Sequence, residues 1–390
     1  MKSIMNFPLA ALGLLSYNLI ISAVLTYVPL IVYVILAKNY KCIGFVSVYL
    51  SIAAFFWVTL QIHPDYLYWY NREIFGIGYT IFRPDHGALW IVLFIELAKS
   101  PQDIWSGVKV SAAILFFYSL FRAYIAMGQG YWTYIGPSGI ESQRSYDLDF
   151  GYTMMFVAVV SLIALIKEKR RFCVVIVIAC VLLDLRFGSR GSFLCIAAFL
   201  VAVVLLEVKS VRTRVWTSIL ILTVAVVFLF FGNDIILATA DFCRTTLGID
   251  SRTINSLLTG DALDDNGRSE IYSLLDSFLY VEFFGFGAYG DRPIIGPQFY
   301  WGYSHSLFYE FAINFGVLPA MAILFAISVA TIRRIMNSEN EYYTYLIVVA
   351  LCMSMRLIIS DTFWGNTFFW MLIALLLFRK DQAVCRGREI

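Results

Sequence analysis

Charge is scarce in this chain. Asp, Glu, Lys and Arg make up 14% of its 390 residues, against roughly 25% in an ordinary soluble domain, and that excludes a soluble enzyme. The charges that exist balance to a formal +2, so the concentrated basic face that phosphate-backbone binding requires is missing and nucleic acid is not expected as a partner. The seven cysteines, Cys42, Cys173, Cys180, Cys195, Cys243, Cys352 and Cys385, are scattered and mostly lie inside apolar runs. Without a CxxC pair for zinc or redox work they read as small core residues. Histidine is limited to His63, His86 and His305, none with a second histidine at ligand spacing, so no metal and no cofactor is expected. The acids at Asp147 and Asp149, or at Asp261, Asp264 and Asp265, read equally well as solvated loop charges.

What the chain has in abundance is apolar surface: 60% of residues are hydrophobic and 17% aromatic, in runs too long for one strand or one core helix. Roughly 20 apolar residues cross a bilayer as a helix, which satisfies its own backbone there. Spans are expected near residues 41 to 62, 110 to 128, 151 to 166, 171 to 187, 191 to 208, 215 to 232, 303 to 332, 342 to 360 and 362 to 378. Residues 8 to 37 read as one long helix or as two broken near Pro29, and residues 74 to 98 carry Arg83, Pro84, Asp85 and His86 in mid-run. The expectation is an all-α polytopic membrane protein of about 11 or 12 transmembrane helices, a single integral membrane domain over residues 1–390 with no cleavable signal.

Basic residues fall in alternate connections: Lys38 and Lys41; Lys99 and Lys109; Lys167, Lys169, Arg170 and Arg171; Lys209, Arg212 and Arg214; Arg333 and Arg334; and Arg379, Lys380, Arg386 and Arg388. The positive-inside rule makes these cytoplasmic, which leaves residues 63 to 75, 129 to 150, the turn at Gly188 to Gly191, the 71-residue stretch 233 to 303 and the turn at Asp361 outside. The basic residues left outside or within the membrane, Arg72, Arg83, Arg122, Arg144, Arg186, Arg190, Arg244, Arg252, Arg268, Arg292 and Arg356, include no lysine. A guanidinium stays charged, binds phosphate or carboxylate in bidentate fashion and tolerates partial burial. An outer face of arginines therefore suggests anion recognition; pairing with outer acids such as Asp147 or Asp264 is the alternative.

The sequence DLRFGSRGSFL sets Arg186 and Arg190 at the outer end of two helices, where charges at membrane depth commonly mark a pathway or site. Arg186 paired with Asp184, and Arg190 snorkelling to headgroups, is the structural alternative; the flanking glycines favour a ligand at Arg190. Residues Arg268 to Phe278 read as an amphipathic helix. Arginine opposes the macrodipole in a first turn, so Arg268 fits either an anion shared with the helix amides or a salt bridge to Asp264 or Asp265. His305 stands in YWGYSHSLFYEFAINFGVLP, near Glu310 and the aromatics Tyr300, Trp301 and Tyr303. A neutral imidazole is the usual acceptor of a hydroxyl proton, whereas a lone interfacial histidine is more often structural. Arginines for phosphate, with Tyr and Trp for sugar faces, fit a lipid-linked sugar phosphate.

The succession FGSRGSFL, SRTINSLLTG, NGRSEIY, GFGAYGDR and YSHSLFYEFAINFGVLPA, with GYW and YDLDFGY upstream, resembles the bacterial O-antigen polymerases (Wzy), in the wider superfamily that includes O-antigen ligases. The likeness covers roughly residues 130 to 335. It departs where Gly316 is followed by Val317, Leu318 and Pro319 rather than by the threonine often found there. The resemblance implies an inverting, metal-independent GT-C glycosyltransferase. Such an enzyme polymerises undecaprenyl-diphosphate-linked repeat units of O-antigen or capsular polysaccharide at the outer face of the bacterial cytoplasmic membrane. It would work with the bilayer, a chain-length regulator and a flippase. Carried over to this chain, Arg190 and Arg268 would hold the donor diphosphate, with Arg252 and Arg292 as further candidates, and His305 would activate the acceptor hydroxyl. Arg186, Glu310, Tyr272 and Tyr303 would stand in support. A ligase is the alternative within the class. A polysaccharide flippase or transporter, the alternative outside it, is disfavoured because no second half carries a counterpart of residues 233 to 303.

Cysteine labelling should find residues 233 to 303 accessible from outside and the Lys167 to Arg171 connection from inside. Labelling of the long stretch from the cytoplasm would overturn the topology.

Overall fold

The computed structural model describes residues 43–72, 76–77, 80–82, 87–135, 141–144, 147–188, 190–207, 267–299 and 302–378, with isolated positions between 216 and 246. The expected spans at 8 to 37 and 215 to 232, the candidate Arg252 and the side chain of Arg190 lie outside the described residues. Among those described, the chain is all-α except for one hairpin, and five helices are long and apolar enough to cross a membrane. It forms two compact units, Met1–Tyr118 with Gly267–Ile390, and Ser119–Asn266.

In the second unit, β1 (Trp132–Ile135) pairs antiparallel with β2 (Glu141–Arg144), a small exception to the helical expectation. Helix α5 (Leu148–Glu168) starts where Asp147 accepts from the amides of Asp149 at 2.9 Å and Phe150 at 3.2 Å, a carboxylate cap that also suits the helix dipole. Apolar nearly all round, α5 is buried along most of its length against α6 (Cys173–Phe187) and α7 (Arg190–Glu207), as a helix without a polar face must be. The turn between α6 and α7 is tight: a Cβ at Gly188 would meet Asp184 Oδ1 at 1.6 Å, and buried Asp184 accepts from Ser192 Oγ at 2.5 Å.

The first unit contains α1 (Ile43–Ile62), the short α2 (Leu67–Tyr70) and α3 (Trp90–Leu97), and the start of α4 (Pro101–Gln129). After residue 266 it continues with α8 (Arg268–Asp276), α9 (Asp291–Ile295), α10 (Leu307–Phe315), α11 (Val317–Asn337), α12 (Glu341–Ser354) and α13 (Thr367–Leu377). At one end the Glu96 carboxylate accepts from the Gly44 amide at 2.9 Å and the Phe45 amide at 2.7 Å, satisfying two of the orphan donors that open α1. There too, Arg334 donates to the Leu376 carbonyl at 2.9 Å, the Tyr343 hydroxyl to the Leu375 carbonyl, and the Phe378 ring lies where a Cβ on Gly44 would point. The expected basic connections beside Lys41, Lys99 and Arg333 thus share one end of this unit. At the other end α1 meets residues 287–290: the Thr59 hydroxyl accepts from the Ala288 amide at 2.9 Å, and Tyr70 donates to the Ala288 carbonyl at 3.0 Å. Phe56 lies beneath, edge-on to Tyr70, Phe82, Tyr289 and Trp364 at 4.9–5.7 Å between centroids, a platform of the kind that aromatic quadrupoles favour.

One expected span is redrawn. Residues 303 to 332 do not form one helix: α10 ends at Phe315, Gly316 takes φ +83° and ψ 152°, and the membrane-length helix α11 begins at Val317. Only glycine enters that backbone region readily, and a Cβ on Gly316 would stand 1.9 Å from the Phe283 carbonyl oxygen. Pro319 falls in the first turn of α11, where its missing N–H costs nothing. The residues ahead of Gly316 belong to a compact loop-and-helix assembly instead.

Gly316→Ala should lower the thermal midpoint in detergent well beyond Gly130→Ala, whose φ is +79° with nothing within 4 Å. Strain alone is of order 1–3 kcal/mol, and the backbone clash adds to it only at Gly316. Equal shifts would show that the contact with Phe283 does not set the bend.

Candidate functional site

The assembly ahead of α11 is built around a guanidinium almost without water. Arg292, 2% exposed, donates from Nη1 to Asp291 Oδ2 at 2.7 Å and from Nη2 to Glu310 Oε1 at 3.2 Å and Thr362 Oγ1 at 3.0 Å. Its plane lies over the rings of Tyr289 at 4.6 Å and Tyr303 at 5.2 Å, where cation–π attraction is strongest because water is excluded. Glu310 also accepts from the Thr362 hydroxyl and, at 3.0 Å, from the Phe363 amide. Asp291 accepts from the Ser304 amide at 3.0 Å, and Asn314 from the Gly290 amide at 2.8 Å. Both carboxyls are fully buried. Burial works against the Arg292 charge, but Asp291 and Glu310 outweigh it and the net shift is upward. Burial, with the Asp291 charge added to it, pushes the Glu310 carboxyl up to about 8. Burial raises the Asp291 carboxyl as well, against the opposing Arg292 charge.

His305 stands two residues beyond Tyr303, their rings 3.9 Å apart. Its backbone is left-handed at φ +54°, as is that of Tyr289 at +59°; conformations that L-residues avoid persist where surrounding contacts over-determine them. The His305 Nδ1 is buried without a partner among the described residues. Burial first, then the positive fields of Arg268 and Arg292, lower the imidazole pKa to about 3. The ring is neutral across the physiological range.

Arg268 opens α8, half-buried after left-handed Gly267, and no described residue pairs with it. Tyr272, one turn on, stacks face to face with Tyr309 at 4.6 Å and 3°, and Tyr309 donates to Asp276 at 2.9 Å. Ile271 and Leu275 bury the other side of α8 against Ile295 and Ile313, the amphipathic pattern expected of that segment.

The first unit thus brings together Arg268, Tyr272, Arg292, Tyr303, His305 and Glu310. Arg292 differs from the other candidates for phosphate binding because its fork is committed to protein carboxylates. Arg186, in the second unit, is exposed and lies over Phe187 at 5.3 Å, while Asp184 takes the Ser192 hydroxyl. Structural pairing accounts for two more of the outer arginines: Arg122 with Asp147 at 2.5 Å, and Arg356 with Asp361 at 3.2 Å. Sequence reasoning passed over Asp291 and Thr362. Asp291 carried a signal, an acid beside an arginine in the apolar stretch GFGAYGDRP; Thr362 carried none. Comparison of the chain with protein-family models, with curated proteins and with solved structures finds no match.

Glu310 gives the site a pH signature. Its folded-state pKa of about 8 lies above the ordinary 4.5, so the stability it contributes is fully present below pH 4.5 and is lost as pH rises through about 8. Glu310→Gln should remove that fall, seen as thermal midpoints in detergent at pH 5, 6.5 and 8. Glu310→Ala, which leaves part of the Arg292 fork and the Phe363 amide unpaired, should cost about 1–3 kcal/mol. An unchanged alkaline fall in the Gln variant would mean that Glu310 is already ionised at low pH.

Proposed function

We propose that the chain is a multi-pass glycosyltransferase of GT-C type in the bacterial cytoplasmic membrane, polymerising undecaprenyl-diphosphate-linked oligosaccharide repeat units at the extracytoplasmic face. The observation that carries this reading is the His305 imidazole, kept neutral by burial and by the Arg268 and Arg292 guanidiniums that bear on it, in contact with the Tyr303 ring. In the reaction the acceptor hydroxyl oxygen bonds to the anomeric carbon of the donor sugar, the bond from that carbon to the diphosphate oxygen breaks, and the hydroxyl proton passes to the His305 imidazole. The leaving group is already good, so the protein's task is to orient two lipid-anchored sugars and to meet the developing diphosphate charge.

Arg268 holds the diphosphate; Arg292 positions the His305 loop. Tyr272 and Tyr309 offer an aromatic face to a sugar ring. A base of pKa about 3 is a weak proton acceptor, and the positive field of Arg268 is one reason for its weakness. A diphosphate bound at Arg268 cancels that field and raises the proton affinity of His305, so the base strengthens when the donor is in place. No metal takes part in this scheme.

The test is a ladder assay with purified enzyme and one lipid-linked repeat unit serving as donor and acceptor. His305→Ala should slow polymer formation by about a hundred- to ten-thousand-fold with the protein still folded in the membrane. Arg268→Lys, which keeps the charge and loses the fork, should cut it severely. Chelator should leave the rate unchanged. Normal ladders from both variants would remove the site from the chemistry, and no polymer from wild type with a single lipid-linked substrate would move the reading to a ligase.

A further inference from the structure

Between α8 and Gly285 the chain makes a turn whose apolar side chains point away from the protein: Tyr280, Val281, Phe283 and Phe284 are 85%, 61%, 62% and 77% exposed. Such a cluster is large for a surface that meets only water. The turn is also fixed in place. Its Phe283 carbonyl lies against Gly316, the Phe286 amide donates to the Ile313 carbonyl at 2.7 Å, and the Gly287 amide donates to the Asn314 carbonyl at 3.0 Å. Gly285, at φ +72°, makes this approach possible, since a Cβ there would stand 2.4 Å from the Gly316 nitrogen. The aromatic turn is therefore pinned to the residue where α11 begins.

The length of α11 says what covers the turn. Its apolar run, Val317 to Ile332, ends at Arg333 and is about 24 Å long at 1.5 Å per residue, several ångströms short of a hydrocarbon layer of about 30 Å. Snorkelling of Arg333 and Arg334 recovers part of the difference at that end; the rest must come from apolar groups beside Gly316. Phe283 and Phe284, exposed beside Gly316, supply them, and Leu318, Met321 and Phe325 on α11 are exposed as well. Tyr280 has the amphipathic ring favoured where hydrocarbon gives way to headgroups, and exposed Glu282 lets its carboxylate reach water.

We infer that residues 280–284 are seated in the bilayer, at the boundary between acyl chains and headgroups, and fix the depth of α8 and of the His305 loop relative to the lipid surface. The partner is the lipid itself, and the inference stands whatever reaction the site performs.

Photo-crosslinking tests it in the full chain, with benzoylphenylalanine replacing Phe284, and separately Tyr280, in phosphatidylethanolamine–phosphatidylglycerol vesicles. Phe325 on the flank of α11 serves as the lipid-facing reference and exposed Glu270 on α8 as the water-facing one. Phospholipid adducts at 284 should match the yield at 325 and exceed that at 270 several-fold, with 280 between them. Adducts at 284 to a second copy of the chain would make the turn a dimer contact instead. A yield at 284 and 280 no higher than at 270 would place the turn in water. Either result overturns the inference.

Discussion

Placing a guanidinium where water cannot reach it costs several kcal/mol even after the protein relaxes, and the first unit is arranged to meet that cost at Arg292. The groups that surround it are distant in sequence. Asp291 is its neighbour, Glu310 lies on α10, Thr362 precedes α13, and the rings of Tyr289 and Tyr303 lie against it. Loss of Asp291 would leave the buried guanidinium without its nearest carboxylate, and loss of Thr362 would leave part of its fork unpaired. Residues 302 to 306, with no helix or strand of their own, take their course from these fixed points. One fixed point is the Ser304 amide on Asp291, next to the histidine.

Two residues in this region hold the left-handed backbone that their side chains disfavour, and both are anchored on each side. Tyr289 is flanked by the Ala288 bonds to Thr59 and Tyr70 and by the Gly290 bond to Asn314; His305 is flanked by Ser304 on Asp291 and by Ser306, whose carbonyl accepts from Glu310. The strain is thus carried by the same network that neutralises Arg292.

Long apolar runs were legible before any coordinates: residues 41 to 62 and 151 to 166 lie within a residue or three of helices Ile43–Ile62 and Leu148–Glu168. The run from 303 to 332 misled because hydropathy does not register a single positive φ at Gly316, and because Phe311 and Ile313 are buried in protein rather than lipid. The amphipathic α8 was readable from its own spacing. The pairing of Arg292 with Glu310 and Thr362 was not, because a buried ion pair is set by which segments meet in space and leaves no periodicity along the chain. Short apolar stretches gave similar trouble: residues 74 to 98 contain only the eight-residue helix Trp90–Leu97 among those described, too short to cross a bilayer.

The carboxylate that closes the first turn of α1 has a consequence for how the chain is made. Helix α1 has no acid of its own in that turn, and the amides of Gly44 and Phe45 wait for Glu96, 52 and 51 residues downstream. At ribosomal speeds this interval is on the order of 3–10 s. During it the nascent helix has two donors open that water, lipid headgroups or the insertion machinery must serve. The Phe378 ring, which lies against the same turn, follows only about 330 residues after Gly44. The first described helix is therefore among the last to acquire its final neighbours, and a polypeptide stalled before residue 96 leaves the ribosome with that end unsealed.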